Sequence, residues 1–193
     1  MKFLCPLVCL LLVALAPGLS GKNPGRNALD GPLLPAGSVW RYLDNGSDQG
    51  TAWRAPEFDD SQWASGPAQL GYGEGDEATT VSFGPNPKEK YVTTYFRTAF
   101  QLADPAQVES LELHLLVDDG AVVYLNGLEI QRENMAVETA LFDTLATGGP
   151  VTENTFVVYQ LPATNLRAGT NVLAVEVHQI ARTSSDILSL IHI

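Results

Sequence analysis

An all-β protein, an antiparallel β-sandwich, is what this 193-residue sequence predicts. Three observations carry the prediction. Apolar and polar residues alternate with a period of two in several short runs. β-Branched and aromatic residues fill those runs, and turn signals separate them. Helical periodicity is nearly absent from Ser38 onward.

Taken in order, Tyr91 to Phe100 puts Val92, Phe96 and Phe100 on one side and Thr93, Arg97 and Ala99 on the other. Asp104-Pro105-Ala106-Gln107 can cap one short helical turn, with Pro at its first position. Leu111-Glu112-Leu113-His114-Leu115 alternates strictly. Ala121 to Leu125 and Leu128-Glu129-Ile130 flank Asn126-Gly127, a strong hairpin signal because both central positions want positive φ. Asn45-Gly46 is a second such dipeptide. Thr155 to Leu161 is a further β-branched and aromatic run. Leu173, Val175 and Val177 share one face of the run that ends at His178.

The first residues have a different logic. Met1-Lys2 supplies a positive charge, Phe3 to Ala16 is a 14-residue apolar run, and Gly18-Leu19-Ser20 offers small residues for a cut before Gly21. This is the layout of a secretory signal peptide over residues 1–20. A bilayer span needs about 20 apolar residues, so the run is too short for an anchor. Residues 21–37, rich in Gly and Pro, form a flexible leader, and 38–186 form the sandwich module. The protein is thus expected to be secreted, extracellular or periplasmic, with no membrane association after cleavage.

Eleven basic against 22 acidic residues leave a net charge of −11. Nucleic acids and anionic lipid surfaces would repel such a chain, so neither is an expected partner. Both cysteines, Cys5 and Cys9, lie in the signal segment, which excludes a disulfide scaffold and a cysteine nucleophile from the mature chain. There is no Gly-x-Ser-x-Gly elbow and no His-Glu-x-x-His, so no catalytic residue is assigned. Gly71-Tyr72-Gly73-Glu74-Gly75 has the wrong spacing for a phosphate cradle, and Glu74, Asp76 and Glu77 would repel the phosphate.

Three sets of residues remain as candidates. Glu112-x-His114 and Glu176-x-His178 each place an acid and an imidazole opposite an apolar stripe. On neighbouring strands they would converge as a two-His, two-carboxylate metal site. Otherwise they are outer-face residues in cross-strand charge pairs, which the sequence favours. Asp59-Asp60 and Asp118-Asp119, with Asp44, Asp48, Glu74, Asp76 and Glu77, could supply hard oxygen ligands to calcium, or serve as turn formers. Trp40, Trp53 and Trp63, with Tyr72, could stack on sugars; for Trp53 and Trp63 a core role is the stronger reading.

Four segments, in order, resemble a known pattern. Trp53 and then Phe58-Asp59-Asp60-Ser61-Gln62-Trp63 resemble the F-D-D-S-x-W turn of galactose-binding-domain-like jelly rolls. These include the sugar-binding domain of glycoside hydrolase family two β-galactosidases and glucuronidases. Tyr95 to Phe100 resembles that family's Y-x-R-x-x-F strand, and Val123 to Gly127 its V-Y-L-N-G hairpin. Leu166 to Val175 resembles its L-x-x-G-x-N-x-L-A-V strand. The match runs from Trp53 to Gln179, 127 of 193 residues. The wording around residues 48–53 and 66–73 is similar to accessory modules of exported bacterial hydrolases, including metallophosphoesterase-type proteins.

The resemblance implies a non-catalytic module that binds carbohydrate or docks onto a covalently linked catalytic domain of a larger secreted bacterial protein. The alternative is the N-terminal fragment of a secreted glycosidase or metallophosphoesterase. A narrower similarity joins Asp118-Asp119-Gly120 and Tyr124 to Gly127 to the calcium-dependent lectin loop of protective-antigen-type adhesin domains. It implies Asp118, Asp119 and Asn126 as ligand contacts, with calcium held by Asp118 and Asp119. Residues 187–193, Ile-Leu-Ser-Leu-Ile-His-Ile, resemble translated adapter read-through on a truncated reading frame; the alternative is an apolar final strand.

Overall fold

A computed structural model describes residues 31–136, 139–149 and 154–193. The signal segment and most of the leader lie outside the described residues. Among the described residues eleven strands form two sheets, in line with the alternation. They are β1 (Val39–Leu43), β2 (Ala64–Pro67), β3 (Leu70–Tyr72), β4 (Thr79–Thr80), β5 (Thr93–Leu102) and β6 (Ser110–Asp118). The rest are β7 (Gly120–Leu125), β8 (Leu128–Glu133), β9 (Val157–Pro162), β10 (Gly169–His178) and β11 (Ile187–His192). One sheet has six strands in the order β2-β1-β5-β10-β7-β8, and the other has five, β4-β3-β11-β6-β9. All pairings are antiparallel except the short β3–β4 contact.

The main core lies between the sheets. Phe96 and Phe100 of β5, Val123 and Leu125 of β7, and Leu173, Val175 and Val177 of β10 meet Leu111, Leu113 and Leu115 of β6 and Ile187 and Ile191 of β11. These are the apolar stripes of the alternating runs, and their removal from water is the main source of stability. Asn126 (φ 53°) and Gly127 (φ 87°) turn β7 into β8, the pair of positive φ values that the hairpin needs. Asp104 caps a single 3-10 turn, Pro105–Gln107, by accepting from the Ala106 N–H at 3.0 Å. Residues 187–192 are an interior strand here, between β3 and β6.

A second core sits on the outer face of the six-stranded sheet. The 3-10 turn Ala52–Arg54 and the segment reaching Trp63 lay Trp53 and Trp63 over Tyr95, Val122, Tyr124 and Ala174. The segment after β8 adds Met135, Ala140 and Ala146. Gly120 makes room for that segment, since a Cβ there would come within 2.8 Å of Ala146 Cβ and 2.9 Å of Met135 Sδ. The sequence motifs therefore specify a cover for one sheet as well as the strands beneath it.

Candidate functional site

The covered part of that outer face is polar as well as aromatic. Trp53 is fully buried, its ring 4.8 Å from Tyr95 and 5.8 Å from Tyr124, both edge-on. Beside it Glu176 accepts from Tyr124 Oη at 2.6 Å and from Arg54 Nη2 at 3.1 Å. Its second oxygen lies 3.5 Å from His178 Nε2, and His178 Nδ1 lies 2.8 Å from the Thr144 carbonyl. Burial pushes the Tyr95 phenol up to about 12, and burial followed by the Glu176 carboxylate raises Tyr124 further. A carboxylate sealed from solvent in this way holds a fold together and has no access to a substrate.

Arg97 plays the same part for the motifs. It donates through Nε to Asp60 at 2.8 Å, and through its terminal nitrogens to the carbonyls of Trp53, Ala55 and Phe58. The F-D-D-S-x-W turn is thereby tied to the Y-x-R-x-x-F strand. The other two motifs are joined likewise. Asn126 Nδ2 donates to Asn171 Oδ1 at 2.8 Å, and Asn126 Oδ1 accepts from Val172 N–H at 2.9 Å. Asn171, with no exposed surface, also donates to the carbonyls of Arg167 and Gly169.

Where the cover ends, the outer face opens into a cleft of about 300 Å³. Val39 and Arg41 of β1, Ser65 of β2, Arg97 to Ala99 of β5 and Val172 of β10 line it, with Asp60 on its rim. That volume is at the small end of ligand pockets. Arg41 reaches Asp60 at 3.5 Å and donates through Nη1 to the Trp63 carbonyl at 3.0 Å, yet two-fifths of its side chain stays exposed. Asp60 stood out in the sequence as one of a carboxylate pair. Arg41, Ser65 and the apolar floor carried no signal, because β1 and β2 are short and the cleft exists only where the 44–63 segment stops covering the sheet.

The residues expected to bind ligand are divided by the fold. Asp119 and Asn126 lie beyond opposite ends of β7, on the order of 20 Å apart at the usual rise of a strand. The three residues therefore do not form one site. Asp118 and Asp119 are both buried. Asp119 accepts from the Ile180 N–H at 2.6 Å and lies 3.4 Å from Ser184 Oγ, while Asn126 is engaged in the asparagine pair. Among the described residues no group of three or more His, Cys, Asp or Glu is placed to hold a metal. Calcium takes six to eight oxygens, and a carboxylate oxygen pinned by a backbone N–H is poorly set to supply one. The Ile180 N–H thus takes one of the two Asp119 carboxylate oxygens.

The two Glu-x-His pairs sit in different sheets, which removes the shared metal site. Glu112 and His114 lie on the outer face of the five-stranded sheet, with His114 Nε2 donating to Glu112 at 2.6 Å and Gln160 donating from β9 at 2.7 Å. The hydrogen bond from His114 holds the Glu112 carboxyl below its usual range. Trp40, Trp53, Trp63 and Tyr72 are all buried, so none is a stacking platform. The glycine loop binds its own acid: Glu77 accepts from the N–H groups of Glu74 and Gly75.

No protein-family model matches this chain, and no curated protein does. Among solved structures, similar chains are β-glucuronidases. That of Ruminococcus gnavus is 16% identical, with 76% of this chain and 21% of that one covered at a TM-score of 0.49. The Bifidobacterium dentium enzyme, complexed with coumarin-3-O-glucuronide, is 18% identical, covering 75% and 20% at 0.48. A calcium-binding mutant of Bacteroides uniformis β-glucuronidase 2 is 18% identical, covering 80% and 17% at 0.49. The chain thus spans about a fifth of the length of these neighbours.

Proposed function

We propose that the chain is a non-catalytic β-sandwich module of a larger exported hydrolase, glycosidase or metallophosphoesterase, and docks against the catalytic domain. One observation carries this reading. The segment that closes the second core exposes Leu141, Phe142 and Leu145, and the Ala146 N–H to Gln179 carbonyl bond sets Leu145 beside exposed Ile180. Four large apolar side chains at one end of a sandwich are what a protein contact uses. The same segment is anchored from beneath by Thr93 donating to the Phe142 carbonyl and by His178 at the Thr144 carbonyl.

The test begins with resequencing the source locus through codon 187 and beyond, and expressing whatever domain the frame continues into. Titrated calorimetrically, that domain binds this module, and Leu145→Glu abolishes the binding while leaving the module's melting temperature unchanged. A frame without a catalytic domain, or binding indifferent to Leu145→Glu, contradicts the proposal. Carbohydrate binding is the second reading. The cleft over β1 and β5 favours it, with an apolar floor for a ring face and Arg41, Asp60, Ser65 and Thr98 for hydroxyls.

A further inference from the structure

The dipeptide Asn-Gly occurs at 45–46 and at 126–127, and the fold treats the two copies differently. Asn126-Gly127 is locked into its hairpin. Asn126 Nδ2 donates to the Asn165 carbonyl and to Asn171 Oδ1, both at 2.8 Å, and Asn126 Oδ1 accepts from the Val172 N–H at 2.9 Å. Asn45-Gly46 lies in the loop after β1, with Asn45 exposed. There Asn45 Oδ1 accepts from the Ser47 N–H at 3.0 Å and from Ser47 Oγ at 2.6 Å. Gln49 Nε2 donates to Ser47 Oγ at 2.8 Å, which leaves the hydroxyl proton directed at Asn45. Gly46 is fixed as glycine, because its φ is 71° and a Cβ there would run into the Tyr91 ring.

Two donors converging on one amide oxygen polarise its carbonyl carbon, as an oxyanion hole does. Glycine as the next residue leaves the following backbone nitrogen unshielded by a side chain. We infer that Asn45-Gly46 is a self-modification site, at which the Gly46 nitrogen attacks Asn45 Cγ while the Ser47 N–H and hydroxyl hold the oxyanion on Oδ1. The Gly46 N–H gives its proton to hydroxide and the N–Cγ bond forms. The Cγ–Nδ2 bond then breaks, and the amide nitrogen takes a proton from water and leaves as ammonia. Water opens the resulting cyclic imide at either carbonyl, leaving aspartate or isoaspartate in place of Asn45. Both products add a negative charge between Asp44 and Asp48. Isoaspartate also lengthens the backbone by a methylene where Gly46 packs on Tyr91. At Asn126 the same attack needs the bonds to Asn165, Asn171 and Val172 broken first.

Incubation of the purified protein in mildly alkaline buffer, followed by peptide mass mapping and enzymatic methylation of isoaspartate, tests it. In the native protein Asn45 converts at least about tenfold faster than Asn126, which reacts only from a locally opened state. In urea, where neither loop persists, the two rates converge. Ser47→Ala slows native conversion of Asn45 by at least about threefold, through loss of one oxyanion donor, and changes nothing in urea. Asn45→Gln removes the early release of ammonia from the native protein. Equal native rates at Asn45 and Asn126 overturn the inference. A native Ser47→Ala rate equal to that of the parent chain overturns it as well, because the loop would then be an exposed Asn-Gly with no oxyanion site.

Discussion

The sequence contains the same three-residue pattern twice, Glu112-x-His114 and Glu176-x-His178, and the fold gives the two copies opposite fates. Both lie on interior strands, β6 between β11 and β9, and β10 between β5 and β7. Both point away from the core between the sheets. Yet the Glu112 side chain is 55% exposed and the Glu176 side chain 2%. The difference comes from other parts of the chain. Trp53, Arg54 and the 139–149 segment lie over β10 at Glu176, while at Glu112 the outer face of β6 stays open to solvent. Strand alternation shows which way a side chain points, and distant segments decide whether it meets water.

Trp53→Ala gives the largest effect among variants of the cover itself. It empties the space between Tyr95 and Tyr124 and costs about 3–5 kcal/mol, seen as a lower midpoint in urea; a loss near zero would mean the turn does not cover the sheet. Asn171→Ala follows. It removes one of the two acceptors of the Asn126 amide and the acceptor of the Arg167 N–H, a loss of about 1–3 kcal/mol, with the β7–β8 hairpin the first element to exchange its amides.

Alkaline titration reads the burial of both cores by a different route. Unfolded tyrosine titrates near 10, whereas burial pushes Tyr95 and Tyr159 up to about 12 and raises Tyr72 and Tyr124 further. A raised folded value means stability that is fully present below about 10 and is lost as pH climbs through the range 10 to 12. Tyrosinate absorbance should therefore lag in the native protein and jump on unfolding; a smooth titration of all six tyrosines near 10 would mean that neither core seals its tyrosines. The smallest stability effect belongs to Leu145→Glu, within about 0.5 kcal/mol because the residue is already 42% exposed.

The sandwich was legible in the sequence because its signal is local. The stripes at Leu111-Leu113-Leu115 and Leu173-Val175-Val177, the Asn126-Gly127 turn and the Asp104 cap each depend on a few adjacent residues. The site was not legible in the same way. Asp118, Asp119 and Asn126 are close along the chain, but a strand stands between the acids and the asparagine. The cleft, conversely, assembles Arg41, Asp60, Ser65 and Thr98 from four separated segments. The motifs of the family resemblance describe pairs that lock the fold, Asp60 with Arg97 and Asn126 with Asn171, so their presence specifies an architecture and leaves its ligand open.

The most direct test sets Glu176→Ala against Glu112→Ala in the same urea titration. Removing Glu176 strands the Arg54 guanidinium and the Tyr124 hydroxyl beneath the cover, a loss of about 3–5 kcal/mol and a fall in melting temperature on the order of 10 °C. Removing Glu112 frees a half-buried imidazole that water still reaches and an exposed amide, and the midpoint should not move. Equal losses from the two variants would contradict the account, because the cover over β10 would then make no difference to an otherwise identical pattern.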